Sequence, residues 1–421
     1  MEFLDNLEGF RKTPVRDTLV SALDYSFLKN SPQERVRSYL ERENLADFKG
    51  KIHVVGFGKA GKGMYEGARQ FFGPRISSAV IIVPVKEGEQ LTYPFLPGNH
   101  PLPATESIRS SKILIDSLAG MNEEDLVLVL VSGGGSALFE NLRQGVELEK
   151  YNEIIDCVMR HGANISELNS VRYLFSMTKG GSLLNFTYPA RVLSLIVSDV
   201  PGDSVNTVSS GPTGDPPSSS AIDSAVAKYG EQCGIHKVDV RNAKKGYKAE
   251  NHIVLKNHDF VKSILENIHA RGFRTKNIGS GIQGDTTVVS ELIVNEMRSS
   301  YNSDGTPLYL AGGGETSTNF THNGIGGRNL ELALKVLLRM EREEVFTFGS
   351  IGTDGIDGTS KAMGAIVDNK SLMYVDENFI REKLSTSDSL APLVRSKDVL
   401  FTGPTGNNVS DIFIGYYAGS D

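Results

Sequence analysis

Two cations sit where they can meet an anion. Lys59 lies in Gly56-Phe57-Gly58-Lys59-Ala60-Gly61, and Arg328 follows Gly324-Ile325-Gly326-Gly327 and precedes Asn329. Each segment runs into a helical pattern, and a cation beside the N–H groups of a helix start suits a phosphate or carboxylate. Arg328 adds a planar fork able to make two parallel bonds to such a group. In Ser132-Gly133-Gly134-Gly135-Ser136, three glycines can turn successive N–H groups toward one anion; a close-packing turn is the other reading. Gly312-Gly313-Gly314-Glu315-Thr316 reads as a further loop of this type after a strand. Arg172 and Lys179, seven residues apart, fall on or near one helical face with Asn169, where they bind an anion or cover a solvated surface.

The carboxylates form two groups. Asp199 and Asp203 occupy Ser198-Asp199-Val200-Pro201-Gly202-Asp203, at the end of an apolar strand, where a base or a Mg²⁺ ligand would stand in an open α/β sheet. Asp354 and Asp357 lie between glycines in Gly352-Thr353-Asp354-Gly355-Ile356-Asp357-Gly358, which suits Mg²⁺ or a tight turn. The catalytic candidates are Lys59, Arg328 and Asp199. Candidate substrate or nucleotide contacts are Gly56, Gly58, Ser132, Gly133, Gly134, Gly135, Ser136, Arg172, Lys179, Asp203, Gly314, Glu315, Thr316, Gly326, Gly327 and Asn329, and the candidate metal ligands are Asp354 and Asp357.

Other chemistries fit less well. The eight histidines form no H-x-x-x-H pair, which disfavours a zinc hydrolase; His100, between Asn99 and Pro101, reads as a turn residue. Gly56 to Gly61 matches G-x-G-x-x-G, but no ribose-binding acid follows on the next strand, which weighs against a dinucleotide site. The segment around Ser136 is not a G-x-S-x-G elbow.

The elements that must position these groups alternate. Ile52–Val55, Ser78–Val85, Leu126–Val131 and Arg191–Val197 read as strands separated by helices. Their uniformly apolar character predicts a parallel sheet covered on both faces. A helix pair precedes them, the second running to about Asn44, and helices are expected over Glu147–Arg160 and Ser166–Lys179. After a polar crossing over 212–250, a second α/β series opens with strand His252–Leu255 and continues through Thr275–Ile278, Leu308–Ala311 and Val345–Ser350 to Val399–Thr402. The expected fold is two α/β domains with largely parallel sheets: a larger Rossmann-like domain over 1–245 plus 400–421, and a smaller one over 246–399.

Composition narrows the partners. The chain has 421 residues with a net charge of −7, a poor match for nucleic acid. No apolar run approaches a membrane span, and the acidic N-terminus lacks a signal-peptide pattern, so the expected address is cytoplasmic. Cys157 and Cys233 are the two cysteines; they exclude a disulfide scaffold and a cysteine zinc cluster and are expected to be small buried hydrophobes. Glycine stands out, with 44 residues where about 30 would be usual.

The ordered set GFGKAG at 56, GNHPLP at 98, SGGGSAL at 132, LNSVRYLFSMTKGG at 168, SDVPGDS at 198, SSGPTGDP at 209, GGGETS at 312, GIGGRNLELAL at 324, GTDGIDG at 352 and TGPTGNNVSD at 402 resembles the class II glycerate kinases. It covers roughly residues 50 to 415. The resemblance implies two α/β domains around a cleft that holds the active site, a MOFRL-type region from about 308, dependence on ATP and Mg²⁺, and D-glycerate as the small-molecule substrate. It places the functional lysine and arginine at Lys59 and Arg328. Compact chains of this type imply phosphorylation at the 2-hydroxyl; transfer to the 3-hydroxyl, an NAD-dependent hydroxypyruvate reductase and a non-catalytic ligand sensor stay open, as does a homodimer. Asn407, Lys361 and Met363 depart from the family pattern.

Overall fold

A computed structural model of the chain describes residues 9–43, 45–85, 89–236, 247–302, 305–319 and 324–420. The chain divides into two compact units, one continuous over Pro32–Leu255, the other built from the chain up to Ser31 and from Lys256 onward.

The continuous unit holds six strands: β1 (Ile52–Phe57), β2 (Ile76–Pro84), β3 (Phe95–Gly98), β4 (Leu126–Ser132), β5 (Arg191–Val197) and β6 (Glu250–Leu255). Their order is β3-β2-β1-β4-β5-β6, and every pairing is parallel. This is the doubly wound order, in which the chain reverses direction across the sheet between β1 and β4. All seven residues of β4 are buried, so the run LVLVLV reflects a strand with protein on both faces. Beside the sheet, helices Leu148–Arg160, Ile165–Phe175 and Ser219–Cys233 share a core of Tyr151, Ile154, Val158, Leu168, Val171, Leu174, Ala225 and Tyr229.

The discontinuous unit holds β7 (Thr275–Asn277), β8 (Ile282–Asp285), β9 (Leu308–Ser317), β10 (Glu344–Gly352), β11 (Gly364–Asp368), β12 (Val399–Leu400) and β13 (Asp411–Ser420). The sheet order is β12-β11-β10-β13-β9-β7, with β8 also on β9. Helices Thr286–Asn302 and Arg328–Leu337 give Val289, Ile293, Met297, Leu330 and Leu334 to its core.

Two α/β units are present as expected, but their make-up differs from the expectation. Only the first sheet is parallel throughout. In the second, β9, β10, β11, β12 and β13 pair antiparallel, because connections such as 353–363 contain no crossover helix to return the chain in the same direction. Strand β6, expected to open the second series, completes the first sheet on β5. The expected boundary at 245/246 lies outside the described residues, as does Asn44, and the assignment of 400–421 to the first domain does not match the pairing. Strand β13 lies between β9 and β10, and the first helix, Pro14–Lys29, packs on the helix Asn257–His269 through Phe27 and Phe260, with ring centroids 5.0 Å apart. The two cysteines are not separate hydrophobes: Cys157 and Cys233 form a disulfide joining two of the three clustered helices.

Charge fixes the N-terminal segment to its unit. Arg16 is fully buried and bonds Asp368 at 2.7 Å and Asp398 at 2.6 Å, and Arg11 bonds the same two carboxylates at 2.8 and 2.9 Å. Burial pushes the Asp368 carboxyl upward, but the guanidiniums of Arg16 and Arg11 hold it below the usual range. Replacing Arg16 by Met would leave two buried carboxylates with Arg11 but without their buried guanidinium, so Arg16→Met is expected to destabilise the fold by up to about 3–5 kcal/mol. Lys29→Met, which opens the exposed pair with Glu266, should change stability by less than about 1 kcal/mol. Urea unfolding of both variants checks this; equal small effects would show that the N-terminal helix is not integral to the unit.

Candidate active site

The reversal between β1 and β4 brings two of the predicted loops together. The N–H of Lys59 donates to the carbonyl of Gly133 at 2.9 Å, and that of Ala60 to Ser132 Oγ at 3.1 Å. Gly58 has φ +125°, and a Cβ there would lie 2.1 Å from Ser132 Oγ, so the loops can meet only through glycine. A Cβ at Gly134 would lie 3.2 Å from the His100 ring and 3.4 Å from Lys59 Cγ. The side chains of Lys59 and His100 therefore flank this glycine, which gives His100 a place at the loops that its turn context did not suggest.

The β4 loop continues into a serine cluster. Ser136 Oγ and Ser210 Oγ are 2.8 Å apart, Ser210 donates to Asn169 Oδ1 at 2.8 Å, and Arg172 Nη1 reaches Asn169 Oδ1 at 3.2 Å and Ser210 Oγ at 3.4 Å. Ser209 donates to the carbonyl of Ser132 at 2.7 Å. Ser209 and Ser210 both have positive φ, 51° and 62°, a left-handed conformation that costs free energy in a residue with a Cβ. Asn169 and Ser210 were absent from the predicted contacts; Asn169 was seen only as a neighbour of Arg172, and nothing local marks Ser210.

Lys179 does something else. The expected helix to Lys179 ends at Phe175, so Lys179 and Arg172 do not share its face. The Lys179 ammonium is buried, donates to the Phe139 carbonyl and stands 3.7 Å from Glu140, which also accepts from Tyr151 at 2.9 Å. Burial lowers the Lys179 pKa to about 8, against the pull of Glu140. This is a structural charge under the β4 loop. Asp199 follows β5, whose Val197 pairs with Ser132, so it stands at the same end of the sheet as the glycine loops. Asp203 closes the adjoining turn with φ 50°.

The discontinuous unit has its own polar centre. Arg328 opens the helix Arg328–Leu337, forms an ion pair with Asp411 (Nε to Oδ2, 2.7 Å), donates to Asp411 Oδ1 through Nη2 at 3.0 Å and donates to Glu315 Oε1 through Nη1 at 2.8 Å. Asn329 Nδ2 donates to Asp411 Oδ1 at 3.0 Å and to Asp357 Oδ1 at 3.1 Å. Asp357 also accepts the N–H of Asn329 at 3.1 Å and of Leu330 at 2.9 Å. Both its oxygens thus cap the helix start, a role that replaces the metal-ligand expectation; burial still raises its pKa. Asp354 accepts the Ile356 N–H at 3.3 Å, within the expected turn. Burial raises Asp411 to about 6, opposed by Arg328. Asp411 was not among the expected site residues; the β-branched and aromatic run Ile412-Phe413-Ile414 that follows it is the local signal that it opens a strand.

Gly312, Gly313 and Gly314 are not an anion loop. They lie within β9, and a Cβ at Gly314 would meet the Ile282 carbonyl at 1.9 Å. The glycines let β8 and neighbouring side chains approach the strand. Glu315 and Thr316 are strand residues, Glu315 exposed and Thr316 buried. Gly326 and Gly327 lead into the Arg328 helix, their N–H groups donating to Thr359 Oγ1 at 3.1 Å and Ser389 Oγ at 3.3 Å. Among the described residues, no helix is long and apolar enough to cross a membrane.

Residues 18–242 match the family described as a domain of unknown function, DUF4147, and residues 308–411 match the MOFRL family. The chain is 36% identical to the "Glycerate 2-kinase" of Picrophilus torridus, covering 98% of this chain and 99% of that protein. It is 33% identical to the "D-glycerate 2-kinase" of Thermotoga maritima, covering 91% and 94%. A crystal structure of a glycerate kinase from Thermotoga maritima superposes with a TM-score of 0.86 at 29% identity, over 96% of this chain and 99% of that one. With the DUF4147 match covering more than half of the chain, the MOFRL match starting at 308 and relatives aligned nearly end to end, the chain belongs to the glycerate kinase family whose C-terminal part is a MOFRL domain.

Proposed function

We propose that this protein transfers the terminal phosphoryl group of MgATP to D-glycerate, at the 2-hydroxyl, giving ADP and 2-phosphoglycerate. The observation that carries the reading is the meeting of the Lys59 and Gly133 loops at the point where the first sheet reverses, the place where open α/β sheets bind ligands. The names of the relatives, two of them 2-kinases, support the choice of hydroxyl. The donor set fits the group: a cation flanks the loops, and Asp199 and Asp203 offer hard oxygen donors of the kind Mg²⁺ takes.

Phosphoryl transfer needs alignment and charge cancellation rather than covalent help from the protein. When bound, MgATP supplies the phosphoryl group and part of the neutralising charge. Lys59 and the loop N–H groups would hold phosphate oxygens, and Arg172, Ser136 and Ser210 a second anionic group such as the substrate carboxylate. Asp199 would take the proton of the attacking hydroxyl, or with Asp203 hold the metal. In the other unit Arg328, fixed by Asp411, is the cation assigned to an anion, with Asp354 as a metal candidate.

Incubation of the protein with MgATP and D-glycerate should yield 2-phosphoglycerate by phosphorus NMR, and EDTA should stop it. Exclusive 3-phosphoglycerate would move the transfer to the other hydroxyl, and NADH oxidation by hydroxypyruvate without ATP use would replace the kinase reading. Lys59→Ala should lower kcat by about 10²–10³ with the fold retained; unchanged kcat and KM would make Lys59 an ordinary surface residue. Activity should fall as pH drops through about 6, where Asp411 takes up a proton and loosens Arg328. In Asp411→Asn that limb should vanish and activity stay at one lower level across the range; an unaltered limb would assign it to another group.

A further inference from the structure

Cys157, His161 and Cys233 lie away from the loops assigned above. Cys157 and His161 are one helical turn apart at the end of Leu148–Arg160, and Cys233 is the last residue of Ser219–Cys233. His161 Nδ1 lies 3.7 Å from Cys157 Sγ and 3.9 Å from Cys233 Sγ. A tetrahedral ion with bonds of about 2.3 Å to sulfur and 2.0–2.1 Å to nitrogen spans an S···N edge of roughly 3.6 Å. Both S···N edges therefore already stand at nearly the length such an ion requires, and only the S···S edge must open. The cysteine Cα atoms are 5.7 Å apart, so rotation of two side chains can separate the sulfurs without moving the helices. Those helices are anchored by Tyr151, Ile154, Val158, Ala225 and Tyr229, and Tyr229 is tied to Glu167 at 2.9 Å.

We propose that, once the disulfide is reduced, Cys157, His161 and Cys233 bind a zinc-class divalent cation through two thiolates and one imidazole, with a fourth position left to water. The cysteine count spoke against a zinc site because the third donor is a histidine. Cys233 is buried, Cys157 half-buried and His161 exposed, so the ion would sit at the surface with one side open. Three protein ligands plus water is the open pattern of zinc chemistry, as opposed to the closed four-ligand structural site.

The protons and electrons balance. A dithiol reductant gives two electrons and two protons to the disulfide, leaving two thiols and an oxidised reductant. Binding the ion releases both thiol protons. Nδ1 now hydrogen-bonds the Cys157 carbonyl at 2.8 Å and so carries the imidazole proton; on binding, that proton passes through solvent to Nε2 and the ring stays neutral. The charged neighbours on the same helix, Asp156 and Arg160, pair with each other at 2.8 Å. Disulfide and bound ion are mutually exclusive states of one cluster.

Cobalt(II) is the probe. The whole protein, reduced with a dithiol and freed of reductant without oxygen, should take up one Co²⁺ per chain, with thiolate-to-cobalt charge-transfer absorption and the intense visible bands of a tetrahedral centre; Zn²⁺ should abolish both. The oxidised protein should show neither. His161→Ala changes an exposed residue and should keep the fold, yet weaken binding by more than about 10-fold, since even residues that only orient a ligand are worth 10–100-fold. Cys157→Ser with Cys233→Ser should remove the charge-transfer band, circular dichroism reporting the fold. No charge-transfer band in the reduced protein, equal cobalt binding by the oxidised protein, or a His161→Ala variant that binds as tightly as the parent would overturn the proposal.

Discussion

The close approach of the β1 and β4 loops is the constraint on which the first unit's chemistry depends. Lys59 donates its N–H to Gly133, Ala60 donates to Ser132, and the space between the loops admits no Cβ at Gly58. That contact requires the strand order: with β1 and β4 side by side and both helices leading away from the same edge, the loops must share one end of the sheet. From there the polar chain extends through Ser209, Ser210 and Asn169 to Arg172. The strained serines are held in place by neighbours on several elements, which is what lets such a conformation persist. Beneath, Lys179 and Glu140 form a buried pair whose removal in part would leave an uncompensated charge.

The second unit solves a similar problem with side-chain carboxylates. Asp357 satisfies the N–H groups at the start of the Arg328 helix, which would otherwise need another partner, and Asp411 orients Arg328 from the first position of β13. Asn329 joins both acids, and Ser350 donates to Asn329 at 2.6 Å. A guanidinium held by Asp411 and Glu315 is fixed in orientation by two carboxylates on different strands.

Apolar strands and glycine loops were readable because each is local. LVLVLV announced a buried parallel strand, and the glycines after β1 and β4 announced loops that must approach something. That something proved to be the other loop, which only strand order reveals. The triple glycine of β9 looked the same in sequence and serves strand packing, since a neighbouring strand and a ligand impose the same demand for space. The antiparallel second sheet escaped notice because β11 and β13 are short or follow long loops. Asp411, Ser210 and the cysteine pair gain their roles from partners many residues away, and no local pattern encodes those.

The continuous unit interrupts the other one. Residues up to Ser31 and from Lys256 onward make one core, with everything between them inserted, so the outer core closes on itself only by bringing together chain ends separated by the whole inner unit. For a flexible loop of that length, closure costs roughly 5 kcal/mol of entropy. Once folded, the inner unit removes this cost, because its first helix and last strand are neighbours: the rings of Tyr39 and His252 are 5.0 Å apart. Folding thus acquires a preferred sequence, inner before outer, and damage that unfolds the inner unit weakens the outer one without touching any of its contacts.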